Sequence, residues 1–458
     1  MIKKIIPYIG AGIGLGLLLF NRKSPVPAKT YSNWKQSTNI YEVNIRQYTA
    51  EGTFAAFQEH LPRIKDMGVQ ILWLMPITPI AEKEKKGSLG SPYAAQDYTS
   101  VNPEFGSLQD FKNLVNEAHQ LGFKIIIDWV ANHTGWDHTW TRCNPEFYKK
   151  NPETGDFQTA SGMADIIELD YTNAELRLAM IDAMKFWLRE CEIDGFRCDL
   201  SAWVTVDFWK EARAAIDPQK KLFWLGEYDE LDNPEYGEVF DASYSWNWML
   251  KTREFHDSNL PLQELKDLLF RYAAIGDQTM RAWFTSNHDE NTWNGTEYEK
   301  YGPFALPLAV FSVTWNGVPL IYSGQEIPLI NKRLEFFERD TIHWPIECKL
   351  HDFYRRLLAL KANNPALNGG NSKASTEILT TSADAKIFAY SRKNSDAEVL
   401  TFLNFSKEPV EFEVLNLPEN SLYRNIFSGQ EVAFNSNQKM ALETGGYLVY
   451  EKLASRQD

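Results

Sequence analysis

FKIIIDWVA, residues 123–131, is an almost unbroken apolar run with one aspartate, Asp128, near its end. A strand covered by helices on both faces needs such a run, because neither face meets water. Seven further stretches read as strands: IYEVNIRQY (40–48), VQILWLMPI (69–77), DGFRCDL (194–200), KLFWLGEY (221–228), FDASYSW (240–246), MRAWFTSN (280–287) and VPLIYSG (318–324). Helical spacing fills the gaps, first over Phe54 to Met67 and then over Leu108 to Leu121. In Asn173 to Arg189, Met180, Ile181, Met184, Trp187 and Leu188 form one apolar stripe. Eight strand–helix units in a row predict an α/β fold of the (β/α)8 TIM-barrel type, with a doubly wound sheet as the alternative.

The rhythm breaks twice. About forty residues separate Asn132 from the helix at Asn173, and they include the turn-rich NPEFYKKNPETGDFQTASG; loops that long are usually functional. This predicts a small excursion domain at 132–164, in the loop after the third strand, inserted into a barrel spanning 29–131 and 165–368. After Asn371, AKIFAYSR, EVLTFLNF, VEFEVLNL and GYLVYEK are short, alternating and separated by turn residues. They predict a C-terminal antiparallel β-sandwich over 371–458.

With 44% hydrophobic and 24% charged residues, the 458-residue chain can bury a large core. A net charge of −14 with no basic run disfavours a nucleic-acid partner. The four cysteines, Cys143, Cys191, Cys198 and Cys348, lack metal-ligand spacing and are expected to be free and buried. At the amino terminus, Lys3 and Lys4 precede an uncharged stretch from Ile5 to Phe20. This resembles an export signal, with Val26 and Ala28 at the −3 and −1 positions of a cleavage site. Arg22 and Lys23 directly after the run fit a retained membrane anchor instead. Residues 1–28 are thus expected to export the chain or attach it to a membrane.

In a barrel of this type, polar residues at strand C-termini face the active-site mouth. Asp128, Asp199, Glu227 and Asp289 stand at such positions although they span the middle third of the chain. In GFRCDLSAW (195–203), Arg197 and Asp199 lie two apart, so a strand puts both on one face and turns Cys198 away. Two carboxyl groups facing a sugar bond can cleave it, one protonating the leaving oxygen and the other attacking the anomeric carbon. Arg197 would hold Asp199 ionised, while Phe223, Trp224 and Leu225 give Glu227 the apolar approach that a proton donor needs. On spacing alone, a polyacidic barrel mouth fits a metal site equally well.

DWVANHT, GFRCDLSAW, LGEYD and FTSNHDEN resemble the four ordered signature segments of the α-amylase family of glycoside hydrolases. YEVNIRQYTAEGTF, SPYAAQDYTSVNPEFG and GVPLIYSGQE are similar to further stretches of that family, and the likeness runs from about residue 39 to the end of the chain. The resemblance implies a retaining hydrolase of α-linked glucans, α-1,4 above all, or else an α-glucosidase, transglycosylase or isomerase of α-linked oligosaccharides. A non-catalytic membrane-anchored relative is disfavoured because all three catalytic carboxylates are present. By the same resemblance Asp199 is the nucleophile, Glu227 the general acid/base and Asp289 the third carboxylate. His133 and His288 bind the sugar at the cleavage subsite, Arg197 positions the nucleophile and Tyr93 is the platform under that sugar. Asn132 matches a calcium ligand of the family, so calcium is the one cofactor expected. The chain departs from the family on the leaving-group side. A Lys–His pair common in starch-cleaving members is replaced by Ala202 and Trp203, and a frequent histidine by Ser91. Trp203 is expected either to stack on a sugar or to pack under the fourth helix.

Overall fold

In the computed structural model, the described residues are 33–453, apart from 219, 329–331, 371, 418–420 and 436–437. The segment expected to be a signal or anchor lies outside them. Among the described residues no helix is long and apolar enough to cross a membrane.

Eight parallel strands close into a barrel in sequential order: β1 (Ile40–Val43), β2 (Ile71–Leu74), β3 (Lys124–Trp129), β4 (Gly195–Cys198), β5 (Phe223–Asp229), β6 (Ala242–Tyr244), β7 (Met280–Trp283) and β8 (Val318–Tyr322). The eight runs read from the sequence are these eight strands. The first is shorter than its run, since the chain turns into a helix at Ile45–Tyr48 after Asn44. Side-chain alternation sorts each strand into two faces. Ile40, Ile71, Ile126, Phe223, Leu225 and Val318 fill the barrel. Their neighbours Tyr41, Leu72, Ile125, Phe196, Cys198 and Trp224 pack outward under the helices.

The helix Ala174–Cys191 starts where Asn173 accepts hydrogen bonds from the amides of Glu175 and Leu176. The single helix expected over Phe54 to Met67 is two, Phe54–Gln58 and Leu61–Asp66, with Pro62 in the first turn of the second. A proline has no amide to continue the first helix, so the break falls just before it.

The excursion closes later than expected. Its hairpin pairs His133–Gly135 with Ile166–Glu168, so the return strand lies beyond residue 164. Two other long rim segments, 75–107 after β2 and 323–350 after β8, carry no periodic signal in the sequence. The C-terminal part is a six-stranded antiparallel sheet packed on a two-stranded ribbon, Val410–Glu413 with Lys439–Leu442. In its second strand, Ile387 and Ala389 face the ribbon. Phe388 and Tyr390 face the barrel helix Ala305–Thr314, where Tyr390 and Thr314 hydroxyls meet at 2.6 Å.

Of the cysteines, Cys191 and Cys198 are buried and free, Cys348 is half-buried, and Cys143 is exposed rather than buried.

Gly195 opens β4 against β5 with no room for a side chain. A Cβ there would lie 1.9 Å from the Phe223 carbonyl oxygen. Gly195→Ala is expected to destabilise the barrel by about 1–3 kcal/mol or more, read as a lower urea midpoint with an unchanged slope. An unchanged midpoint would contradict this strand contact.

Candidate active site

The inward face of the strands turns polar at the barrel mouth. Register places Asp128 of β3 directly beside Arg197 of β4. Arg197 is fully buried and collects three carboxylates. Its Nη1 donates to Asp128 Oδ1 and Oδ2 at 2.9 and 3.1 Å and to Asp199 Oδ1 at 3.0 Å. Its Nη2 lies 2.7 Å from Glu227 Oε2, an ion-pair contact too oblique for a hydrogen bond. Trp73 supports the guanidinium from below, with its ring centre 4.9 Å away, and Tyr244 Oη accepts from Nε at 3.3 Å.

This clamp leaves the two carboxyl groups unequal. Asp199 Oδ1 is held by Arg197, while Oδ2 is buried and has no hydrogen-bond partner among the described residues. Glu227 Oε2 accepts from the Leu200 amide at 2.9 Å. Leu200 sits at φ 40°, a left-handed backbone that a leucine seldom adopts, at the turn that aims this amide at Glu227. Arg197 favours the ionised form of Asp199, as expected, but works against two opposing effects. Burial and the Glu227 charge push Asp199 well above the usual carboxylate range, and Arg197 pulls it back only in part.

Opposite them, Tyr93 Oη donates to Asp128 Oδ2 and lies 2.9 Å from His288 Nε2. The two rings stack at 5.2 Å. His288 Nδ1 meets Glu42 Oε1 at 2.5 Å, and its Nε2 is 3.3 Å from Asp289 Oδ2. Burial opposes a charge on His288, yet Asp289 and Glu42 outweigh it and raise its pKa well above the ordinary value. Burial likewise opposes ionisation of Asp289, but the His288 charge and hydrogen bond, with help from Arg197 and the Trp293 indole, leave it below its usual range. His133 behaves oppositely: burial pushes it down to about 4, so it is neutral at pH 7. Its Nδ1 faces the Asn132 amide at 3.3 Å, which leaves Nε2 as a buried donor without a partner among the described residues.

One cavity of about 540 Å³ gathers Tyr93, His133, Asp199, Trp203, Glu227, His288 and Asp289, a size suited to a small ligand. Arg197 lies beneath its floor. Trp203 is 47% exposed on the rim and does not pack under a helix. His138, to which the sequence assigned no partner, is an internal brace: Nδ1 accepts from the Trp140 amide and burial lowers its pKa to about 3.

Asn132 stands outside the cavity. The acidic residues of the excursion are engaged elsewhere, Asp165 with Lys86, Glu168 with Lys149, and Asp170 with Thr172. Among the described residues, no group of three or more acidic, histidine or cysteine side chains is placed to hold a metal ion. The carboxylates of the excursion are thus paired away from Asn132.

Sequence reading missed Glu42, Trp73 and Tyr244 beneath the clamp, and Trp293, Phe336 and Phe337 in the cavity wall. Glu42 did carry a signal, as the single charge in the strand IYEV. Trp293, Phe336 and Phe337 lie in rim segments without periodicity.

Asp128→Asn leaves the guanidinium buried with a weakened partner. Removing a buried ion partner costs about 3–5 kcal/mol, so this variant is expected to lose both thermal stability and turnover. Wild-type stability would contradict the clamp.

A family model described as the alpha-amylase catalytic domain matches residues 29–159 and 146–404. Alpha-amylase 2 of Dictyoglomus thermophilum is 25% identical over 442 residues, covering 86% of this chain and 73% of that one. A maltogenic alpha-amylase of Bacillus acidopullulyticus is 24% identical over 86% of this chain and 69% of its own length. Among solved structures, a maltogenic alpha-amylase from Thermotoga neapolitana superposes with a TM-score of 0.83 at 28% identity, over 93% of this chain and all of that one. An alpha-amylase from Lactobacillus plantarum gives 0.81 at 28% identity, over 92% and 99%. With the barrel, the order of its acidic strand ends and a family match over most of its length, the chain belongs to the alpha-amylase family of glycoside hydrolases.

Proposed function

We propose that the chain hydrolyses α-1,4-linked glucans and maltooligosaccharides with retention of configuration, through a glucosyl ester on Asp199. The observation that carries this reading is the asymmetry of Asp199: one oxygen is fixed by Arg197, and the other is buried and free in the cavity beside Glu227. The names of the relatives, alpha-amylases and maltogenic amylases, support the choice of substrate.

The donor glucose lies on the Tyr93 ring. Asp289, held ionised by His288, accepts from its hydroxyls, and neutral His133 donates from Nε2. Glu227 gives a proton to the glycosidic oxygen as the C–O bond breaks, and the Asp199 carboxylate forms the ester through Oδ2. Water then enters, Glu227 takes its proton, and the ester opens with the original anomeric configuration. This geometry requires a carboxyl separation of about 5 Å. A sugar held by Trp203 in place of water would be glucosylated instead, which makes transglycosylation the second outcome of the same site.

The two roles set the pH profile. Activity needs an ionised nucleophile and a protonated acid, so kcat/KM is expected to fall at low pH, where the nucleophile gains a proton, and at high pH, where the acid loses its own. Glu227→Gln is expected to lose about 10²–10⁴-fold on starch and maltotriose. It should keep formation of the ester from α-glucosyl fluoride, whose leaving group needs no proton. Undiminished cleavage of starch in this variant would overturn the assignment, and turnover of isomaltose without starch would overturn the linkage.

Residues 1–28 support a further proposal, export of the chain, on the strength of Lys3, Lys4 and the uncharged run after them. Amino-terminal sequencing of the exported protein is expected to start near Lys29. A start at Met1 in the membrane fraction would mean a retained anchor, and a start at Met1 in the cytosol would refute export.

A further inference from the structure

The eight rim loops do not contribute equally to the cavity. Asp199, Trp203 and Glu227 follow or end β4 and β5, adjacent strands on one side of the barrel. Glu227 protonates the leaving oxygen, so the leaving group lies on this side. The half-exposed Trp203 marks its way out. The donor sugar lies opposite, over Tyr93 and beside His288 and Asp289.

Beyond the donor sugar, the loops after β2, β3, β7 and β8 are fastened to one another. Lys86, in the loop after β2, pairs with Asp165 of the excursion after β3 at 2.5 Å. Two residues on, the Ser88 amide donates to Glu338 Oε1 at 2.8 Å and the Leu89 amide to the Phe337 carbonyl at 3.2 Å, which ties the same loop to the one after β8. Gly87 makes this approach possible. At φ 64° it takes a backbone that L side chains disfavour, and a Cβ there would stand 2.4 Å from the Phe337 Cβ. The loop after β7 joins through Asn291, whose Oδ1 accepts from the Leu334 amide at 2.8 Å, and Thr292, which donates to the Leu334 carbonyl at 2.6 Å. These ties deliver Phe336 into the cavity, where it lies 6.0 Å from both the Tyr93 and His288 rings and 5.5 Å from Trp293.

We infer that these joined loops close the donor end of the cavity, so that the enzyme works inward from the non-reducing end and releases glucose or maltose rather than cutting mid-chain. The inference rests on the α-1,4 reading above and on Glu227 as the acid. An endo-acting cleft must let the chain run out on both sides of the scissile bond. Here the donor side ends on an ion pair, a backbone tie and an aromatic wall. Phe336 and the Lys86–Asp165 pair are then specificity-determining: they limit how many sugars precede the cleaved bond.

The test compares two p-nitrophenyl maltoheptaosides, one with a free non-reducing end and one with that end blocked by a 4,6-ethylidene acetal, with products read by chromatography. The wild-type enzyme is expected to cleave the free-ended substrate at least about 100-fold faster and to release only glucose or maltose from it at early times. Equal rates on the two substrates, or early accumulation of mid-chain fragments, would overturn the inference while leaving the α-1,4 reading intact. No turnover of either would overturn both. The variants Phe336→Ala and Lys86→Ala/Glu338→Ala are expected to narrow the ratio by at least about 10-fold. An unchanged ratio in variants that fold would refute the role of these loops. If they fail to fold, the wild-type ratio decides alone.

Discussion

A guanidinium sealed inside the barrel is the constraint on which the site depends. Taking an ion of that size out of water costs several kcal/mol even after the protein relaxes, so it must be surrounded by opposite charge and fixed donors and acceptors. The barrel supplies these through register alone. Adjacent parallel strands put Asp128 beside Arg197, and alternation carries Asp199 and Glu227 to the same inner face. Because the planar fork directs each N–H, it orients the carboxylates as well as neutralising them. The result is an aspartate with one oxygen tied and one free.

Around this clamp, ionisation is divided by surroundings rather than by residue type. Two buried histidines a few ångströms from the same cavity take opposite states. His133, with an amide for a neighbour, is neutral, and His288, between Glu42 and Asp289, is cationic. Asp289 stays charged because of that histidine, whereas burial and the Glu227 charge raise Asp199. A hydrolase of this kind needs a fixed anion, a proton donor and an ionised nucleophile. One buried arginine and one histidine provide the asymmetry.

The strand count and the acidic strand ends were legible because both follow from short-range periodicity: eight apolar runs, each with a polar residue where the run stops. The pairing of Arg197 with Asp199, and the outward turn of Cys198, follow from the two-residue repeat of a strand. What stayed hidden depends on long-range placement. Glu42 is one charge in a four-residue strand, and only barrel closure brings it to His288 across 246 positions. Phe336 sits in LEFFERD, a loop whose position is set by contacts to two other rim loops. The upward push on Asp199 stayed hidden for the same reason. The sequence shows the arginine two residues away but neither the burial nor the glutamate of the next strand.

The most direct test of the account is where the covalent bond forms. Incubation with 5-fluoro-α-glucosyl fluoride, which glycosylates a retaining enzyme faster than it is released, followed by proteolysis and mass spectrometry, locates the sugar. The account predicts a glucosyl ester on Asp199, in the peptide carrying GFRCDLSAW. It also predicts that the α-anomer is the first product from maltotriose. A label on Glu227 or Asp289, or first release of the β-anomer, would contradict it.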